Sequence, residues 1–517
     1  MYKVKKIAAW LLLLGCFALL CFFVASHGTH ILDADMSSEM VLAKHLADEN
    51  KLLSPEWYYS TELRVVNTQL ILMPLFKLFD SWVTVRALGT GILLAIYLLC
   101  YRFFLGSLGL AKAFPLSGAF LILPLSTVYF VFVIFGLYYI PHICFSFLLM
   151  GLMFKIAASA GKSRVFYCAA MCLLALLAGM GGLRQLLVYN IPVLIASAAM
   201  SAWFIFKRDL SVKSKEALSY FVSSLVTAAF AVAGYLINAK VLAARYSFSS
   251  QGGMNYALPG FERTELILKE WLSAFGFTEG PAFTLRTLYN LGCLCLVILI
   301  FVALHGILCK AGKYTLGQRL VAMYFAAAAL VYSAFIICTD FAHVGRYCLP
   351  VAIFALPVIC IYFCGLDMKD KLTRRACAAF CALMLLCGLG KLRNQFQTDT
   401  TGELRQITDM LISEGYTEGY STFWTGNLVT ELSDGEIEMW VLRHSINDLD
   451  DIYPWLQTSK HAATIPDGPI FLLFQEYELH DCEFIEALAR EKMVYNSDVY
   501  TVYCYDSYQQ VMDELAE

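Results

Sequence analysis

Charge is what this chain has least of. Only 15% of its 517 residues are Asp, Glu, Lys or Arg, where a soluble globular protein carries about 25%. Too few charges remain to cover a water-facing surface, which excludes a wholly soluble fold. Basic tracts are absent and the net charge is -3, which argues against a nucleic-acid partner. No CxxC pair with metal spacing occurs among the 18 cysteines. Most of them, such as Cys16, Cys100, Cys144, Cys293 and Cys360, sit in apolar runs as small hydrophobes. Only Cys482 and Cys504 fall in a clearly polar region, as a candidate disulfide.

Apolar residues fill the space that charge leaves. They make up 59% of the chain, and the mean hydropathy is +0.64. Runs near the roughly 20 residues needed to cross a bilayer recur at 7–26, 82–105, 114–136, 140–159, 165–182, 185–206, 217–238, 286–309, 320–338, 347–366 and 375–391. The chain therefore reads as a polytopic α-helical membrane protein with about eleven spans. A shorter run, 65–79, contains Asn67, Gln69 and Pro74. Counting it as a span would turn every basic loop outward. Left as a juxtamembrane helix, it puts Arg102 and Lys112, Lys162 and Arg164, Lys207 to Lys215, Lys310 to Arg319 and Lys369 to Arg375 on the cytoplasmic side, as the positive-inside rule requires. Lys3, Lys5 and Lys6 then place the N-terminus in the cytoplasm. Two larger outer segments follow, 27–81 and 239–285, the second with Arg245, Gly252, Gly253, Glu270 and Trp271.

The last part differs in composition. Residues 1–393 form the membrane domain, and 394–517 read as an extracytoplasmic soluble α/β domain. Helical spacing at Gly402 to Glu414, Asn427 to Leu432 and Phe484 to Arg490 alternates with strand-like runs at Gly419 to Trp424, Ile437 to Leu442, Pro469 to Phe474 and Tyr500 to Tyr505. This tail has no glycine-rich phosphate loop, nucleophile elbow or metal cluster. Its position after the last span suggests acceptor docking.

The chemistry-bearing residues gather at the predicted outer face. Asp33, Asp35 and Glu39 follow the first span within seven positions. Asp35 is a natural N-cap for a helix starting at Met36, with Glu39 favoured by the helix dipole. Asp33, Asp35 and Glu39 are also candidate catalytic groups, Asp33 and Asp35 candidate ligands for a divalent cation, Mg2+, Mn2+ or Zn2+, and Asp33 is the candidate base. Arg64, Arg184 and Arg346 are candidate phosphate contacts, since a guanidinium matches phosphate geometry. Asn67, His142, Gln185 and Tyr347 are candidate substrate-binding neighbours, and His343 a candidate metal ligand. Tyr138 and Tyr139 read as aromatic-belt residues.

A charged N-terminus, one span, then Asp33-Ala34-Asp35 with Glu39 downstream resembles the GT-C superfamily of membrane glycosyltransferases, which includes protein O-mannosyltransferases, oligosaccharyltransferases and aminoarabinose transferases. The juxtamembrane segment Arg64 to Phe79 and the run Gly345-Arg346-Tyr347-Cys348-Leu349-Pro350 are similar to features of that superfamily. The resemblance covers 1–391 in layout more than in identity. Where the aminoarabinose enzymes have a Lys-Pro step, this chain has Arg64-Val65-Val66-Asn67. It implies an inverting transfer of a hexose or pentose from a polyprenyl-phosphate-linked donor to an extracytoplasmic acceptor. The donor and membrane lipid are the implied partners, and the implied site is an outer cavity between the two outer segments and the span ends. A non-enzymatic transporter or scaffold for envelope polymers is the rival. Such a transporter needs ionisable groups deep in its spans, and the apolar runs here are nearly free of them.

Overall fold

The computed structural model describes the chain except residues 1, 210, 249–254, 282–283, 311, 341–344, 444–448, 480–487 and 517. Cys482, His343, Gly252 and Gly253 lie outside the described residues, as does most of the segment Phe484 to Arg490. Cys504 is a free thiol.

Among the described residues, ten helices are long and apolar enough to cross a membrane. The first is α1 (Tyr2–His27). After it come α2 (Ala34–Glu49) and the short α3 (Gln69–Phe76) on one face, then α4 (Trp82–Ser107). The run 114–136 is broken into α5 (Phe114–Ile122) and α6 (Thr127–Phe135), which meet at 96°. Pro124 forces the break, because the residue before a proline is pushed out of the helical region, and Leu123 is extended. Ser126 restarts the helix by accepting the Tyr129 N–H at 2.9 Å, and the Tyr129 hydroxyl donates to the freed carbonyl of Leu121. Backbone groups freed at membrane depth need such partners.

Six further spans follow, α7 (Ile140–Ala158), α8 (Gly161–Gly179), α9 (Leu186–Phe206), α10 (Val212–Ala244), α12 (Leu285–Cys309) and α13 (Leu316–Ile337), with the amphipathic α11 (Phe261–Ala274) lying between α10 and α12. The last two are α14 (Gly345–Cys364), irregular between Pro350 and Pro357, and α15 (Lys371–Phe396). The end of α15 returns to the end of α1. Phe396 packs on Phe23 and His27 with ring centres 4.7 and 4.8 Å apart, and the Thr400 N–H donates to the His30 carbonyl at 2.8 Å. Both ends share a face only if the bent α5–α6 pair counts as one crossing. That makes eleven spans. It also puts all the basic loops on the face opposite α2.

The C-terminal part forms a five-stranded sheet in the order β4-β3-β6-β8-β7. Strands β3 (Glu418–Thr422), β4 (Glu438–Leu442) and β6 (Ile470–Gln475) run parallel, while β7 (Met493–Asn496) and β8 (Tyr500–Tyr505) complete it antiparallel. The helices are α16 (Gly402–Ser413), α17 (Phe423–Leu432) and α18 (Tyr508–Ala516). A smaller sheet ties three distant segments together. Trp57–Tyr59 (β1) pairs with Ser247–Phe248 (β2) and with Gln457–Thr458 (β5).

The sheet domain grips α2 directly. Arg86, in the first turns of α4, makes a fork with Glu431 of α17: Nε to Oε1 at 2.6 Å and Nη2 to Oε2 at 2.7 Å. The same Nη2 donates to the Met36 carbonyl at 3.1 Å, and Asn427 Nδ2 donates to Ser38 Oγ at 2.8 Å. The Arg86 and Glu431 side chains are only 6% and 3% exposed, so removing one strands the other's charge. Glu431→Ala is expected to cost about 3–5 kcal/mol, read as a lower unfolding temperature in detergent. The double change Arg86→Met with Glu431→Leu should recover most of the loss. A Glu431→Ala protein as stable as the wild type would contradict this account.

Candidate active site

The acidic stretch is shaped by its own backbone. Asp33 is the N-cap of α2, accepting the Met36 N–H at 2.8 Å. The cap therefore sits two residues earlier than the expected Asp35, because the helix starts at Ala34. Asp35 is free to turn toward the membrane edge, where Arg346 Nη1 donates to its Oδ2 at 2.9 Å. The pair joins residues 311 positions apart. Burial pushes the Asp33 carboxyl up to about 6, with the Asp35 charge adding to the rise, while the Met36 N–H, Arg86 and Arg346 pull the other way.

Glu39 is fully engaged. Asn67 Nδ2 donates to both of its oxygens at 3.1 and 3.0 Å, the Thr68 hydroxyl donates to Oε2, and Arg64 Nη1 lies 3.7 Å from Oε1. A carboxylate with both oxygens committed is a poor base. Its geometry instead locks α2 to the start of α3 and aims Arg64.

The guanidiniums gather around aromatic rings. Arg184 stands 5.0 Å over Tyr139 and 5.6 Å over Tyr347; Arg346 stands 5.5 Å over Tyr347 and 5.2 Å over Phe132. Tyr347 thus lies between two cations, a cation–π arrangement that holds both near one spot. Tyr139 also feels Arg64. His142 is buried in the first turn of α7, within the field of Arg184 and Arg64 and beside Gln185, whose Nε2 donates to Ser146 Oγ at 3.1 Å. The structure brings together Asp33, Asp35, Glu39, Arg64, Asn67, His142, Arg184, Gln185, Arg346 and Tyr347 on one face.

Two glycines make room for further acids. A Cβ on Gly182, whose φ is +96°, would meet the Glu62 carboxylate at 2.4 Å, and one on Gly345 would meet Glu270 Oε2 at 2.4 Å. Glu62 acts on Arg184, and Glu270 comes from α11 of the second outer segment. Tyr138 and Tyr139 are not belt residues facing lipid. Both are buried, and among the described residues the Tyr138 phenol has no hydrogen-bond partner while lying in the field of Asp33, Asp35 and Arg346.

Sequence reasoning missed Glu62, Phe132, Arg86 and Glu431. Arg86 left a signal, being a charge inside the apolar run 82–105, which marks function or a buried partner. The others left none. Among the described residues, no three His, Cys, Asp or Glu side chains gather where they would share a metal ion. Asp33 and Asp35 each commit one of two carboxylate oxygens, to a helix cap and to a guanidinium.

Eleven spans, an acidic helix directly after the first, and a small sheet domain on the same face define a polytopic membrane protein built around a polar cluster at one membrane surface. Among solved structures, the chain is similar to the crystal structure of ArnT from Cupriavidus metallidurans bound to undecaprenyl phosphate, with a TM-score of 0.60 at 11% identity, covering 97% of this chain and 98% of that one. It is equally similar to that protein's apo state, with a TM-score of 0.61 at 10% identity and 97% of each chain covered. At this identity the likeness is one of fold. The chain has the ArnT fold, and the GT-C resemblance is borne out at that level. No protein-family model matches the chain, nor does any curated protein.

Because Asp33 holds its proton more tightly when folded, the folded state gains from protonation between the ordinary value of 3.8 and about 6, and that gain is gone above 6. Asp33→Asn keeps a good N-cap and removes the titration. The wild type should therefore lose thermal stability relative to Asp33→Asn as pH rises from about 4 to about 6, and hold a constant gap above that. A gap independent of pH would show that Asp33 titrates normally.

Proposed function

We propose that this chain is a membrane glycosyltransferase that moves a hexose or pentose from a polyprenyl-phosphate-linked donor to an acceptor on the extracytoplasmic face. The observation that carries the reading is the Asp35–Arg346 pair at 2.9 Å, with Arg184 and Arg346 sharing the Tyr347 ring and Asp33 in the field of Arg346. The ArnT fold supports it, since one ArnT crystal form holds undecaprenyl phosphate. The basic loops on the opposite face support an extracytoplasmic site by the positive-inside rule.

The chemistry is a single displacement. An acceptor hydroxyl or amine attacks the anomeric carbon from the side away from the phosphate. The new bond to carbon forms as the carbon–oxygen bond to phosphate breaks, which inverts the centre. The acceptor proton passes to Asp33, which is ionised at neutral pH yet a stronger base than an ordinary carboxylate. Negative charge grows on the leaving phosphate, and the two guanidiniums, already desolvated and oriented, stabilise it. Arg64, aimed by Glu39, is the third cation in reach. Polyprenyl phosphate is the product that stays in the membrane.

The test follows labelled sugar leaving a polyprenyl-phosphate donor in membranes that hold the native acceptors. Asp33→Asn should slow transfer by at least about 100-fold while donor binding is retained. Arg184→Ala and Arg346→Ala should each weaken donor binding by roughly tenfold. The wild-type rate should fall as pH drops below about 6, the Asp33 value, and Asp33→Asn should lack that limb. Undiminished transfer by Asp33→Asn would remove the mechanism, and the transporter alternative would then stand.

A further inference from the structure

An apolar groove of about 740 Å3 lies between α1, α5, α14 and α15. Its wall along α14 runs from Leu349 to Cys364 and continues to Met368. At 1.5 Å per residue the helical part alone is roughly 22 Å, most of a hydrocarbon core about 30 Å thick. The groove is thus long and deep enough for a lipid chain lying along the membrane normal.

Its two ends differ in charge. Near the acidic cluster the lining is Leu125, Phe275 and Leu349. At the opposite membrane face three cations from three separate segments line the mouth: Lys6 at the start of α1, Lys112 between α4 and α5, and Arg374 in the first turn of α15. All three are exposed, and among the described residues no acidic side chain lines the groove. Asp370 beside Arg374 is occupied in capping α15, accepting the Leu372 and Thr373 N–H groups.

We propose that this groove binds an anionic phospholipid from the leaflet opposite the acidic cluster, its acyl chain in the apolar channel and its headgroup phosphate on Lys6, Lys112 and Arg374. Charge complementarity selects this occupant. A polyprenyl chain whose phosphate sat by Arg184 and Arg346 would place an uncharged terminus among three cations. A zwitterionic lipid would bring its own cation to the same mouth. An anionic headgroup alone uses the rim, and each basic residue near such a headgroup contributes about fivefold in affinity.

The full-length protein in nanodiscs of mixed phosphatidylcholine and phosphatidylglycerol provides the test, with retained lipid read by native mass spectrometry. The wild type should keep phosphatidylglycerol in preference to phosphatidylcholine. Lys112→Glu with Arg374→Glu should reduce that preference by about tenfold or more. Both side chains are exposed and distant from the candidate active site, so the fold is not at stake, and an unchanged unfolding temperature verifies it. Ala378→Trp, which fills the groove, should lower retention of both lipids. Equal retention of the two lipids by the wild type, or a preference that survives the double charge reversal, would overturn the proposal. So would polyprenyl phosphate displacing phosphatidylglycerol in wild type and double variant alike.

Discussion

Arg86 fixes where the acidic helix can be. Its guanidinium is spent three ways, on two Glu431 oxygens and the Met36 carbonyl, and Met36 is the residue whose N–H caps onto Asp33. One side chain therefore connects the second span, the acidic stretch and the sheet domain. A buried pair of this kind contributes little net stability against an apolar replacement, yet it is costly to break. Its value here is geometric. It sets the register of α2 against α17, and so the height of Asp33 and Asp35 at the membrane edge. The sheet domain, expected from its position to dock an acceptor, is in the first place the back wall of the acidic helix.

With α2 held, the remaining charges can be packed at close quarters. Asp35 answers Arg346, Glu39 answers Arg64, and Glu62 acts on Arg184. Each arginine has an acid neighbour, yet none is enclosed by a fork like that of Arg86, and Arg184 and Arg346 both lean on the Tyr347 ring. Rings and single acid neighbours hold these cations in place. Asp33 differs from the other acids. Among the described residues it meets a helix N–H and no guanidinium, and burial keeps its proton affinity high. One carboxyl holds its proton tightly, and the others face cations.

Much of this was legible in the chain. The spans, the gathering of the acids after the first of them and the strands Ile470–Gln475 and Tyr500–Tyr505 follow from runs of apolar residues that match an element's length. Arg346 stood out because the short loops predicted on its face hold almost no other basic residue. What stayed hidden depends on pairing across the fold. Glu431 lies in an ordinary amphipathic helix, and only Arg86, 345 positions away, gives it meaning. Glu62 reaches Arg184 through a notch that exists because Gly182 has no side chain. The 96° break at Pro124 was present in the residues, but an unbroken apolar run conceals a bend until the extended Leu123 and the capping Ser126 are seen together.

Among the described residues, the departures to π-helix are not scattered. Three stretches widen to π-helix, Phe130–Phe135, Leu186–Asn190 and Ile237–Val241, and each belongs to the acidic face. The first presents Phe132 to Arg346. The second begins right after Gln185, beside His142. The third carries Asn238, whose Nδ2 donates to the carbonyls of Leu63 and Met180, both at 2.7 Å, and so ties the strand of chain before Arg64 to the end of α8. Leu137, at a φ of +65°, turns the chain between Phe132 and Tyr138. An extra residue in a helical turn re-aims every side chain after it. Inside a bilayer, such irregular backbone persists only where protein groups satisfy it. Regular helices would have been simpler for a protein that only needed to span. Irregularity concentrated on one face, each instance delivering a ring or amide to the same cluster, is what a fold built to hold that cluster requires.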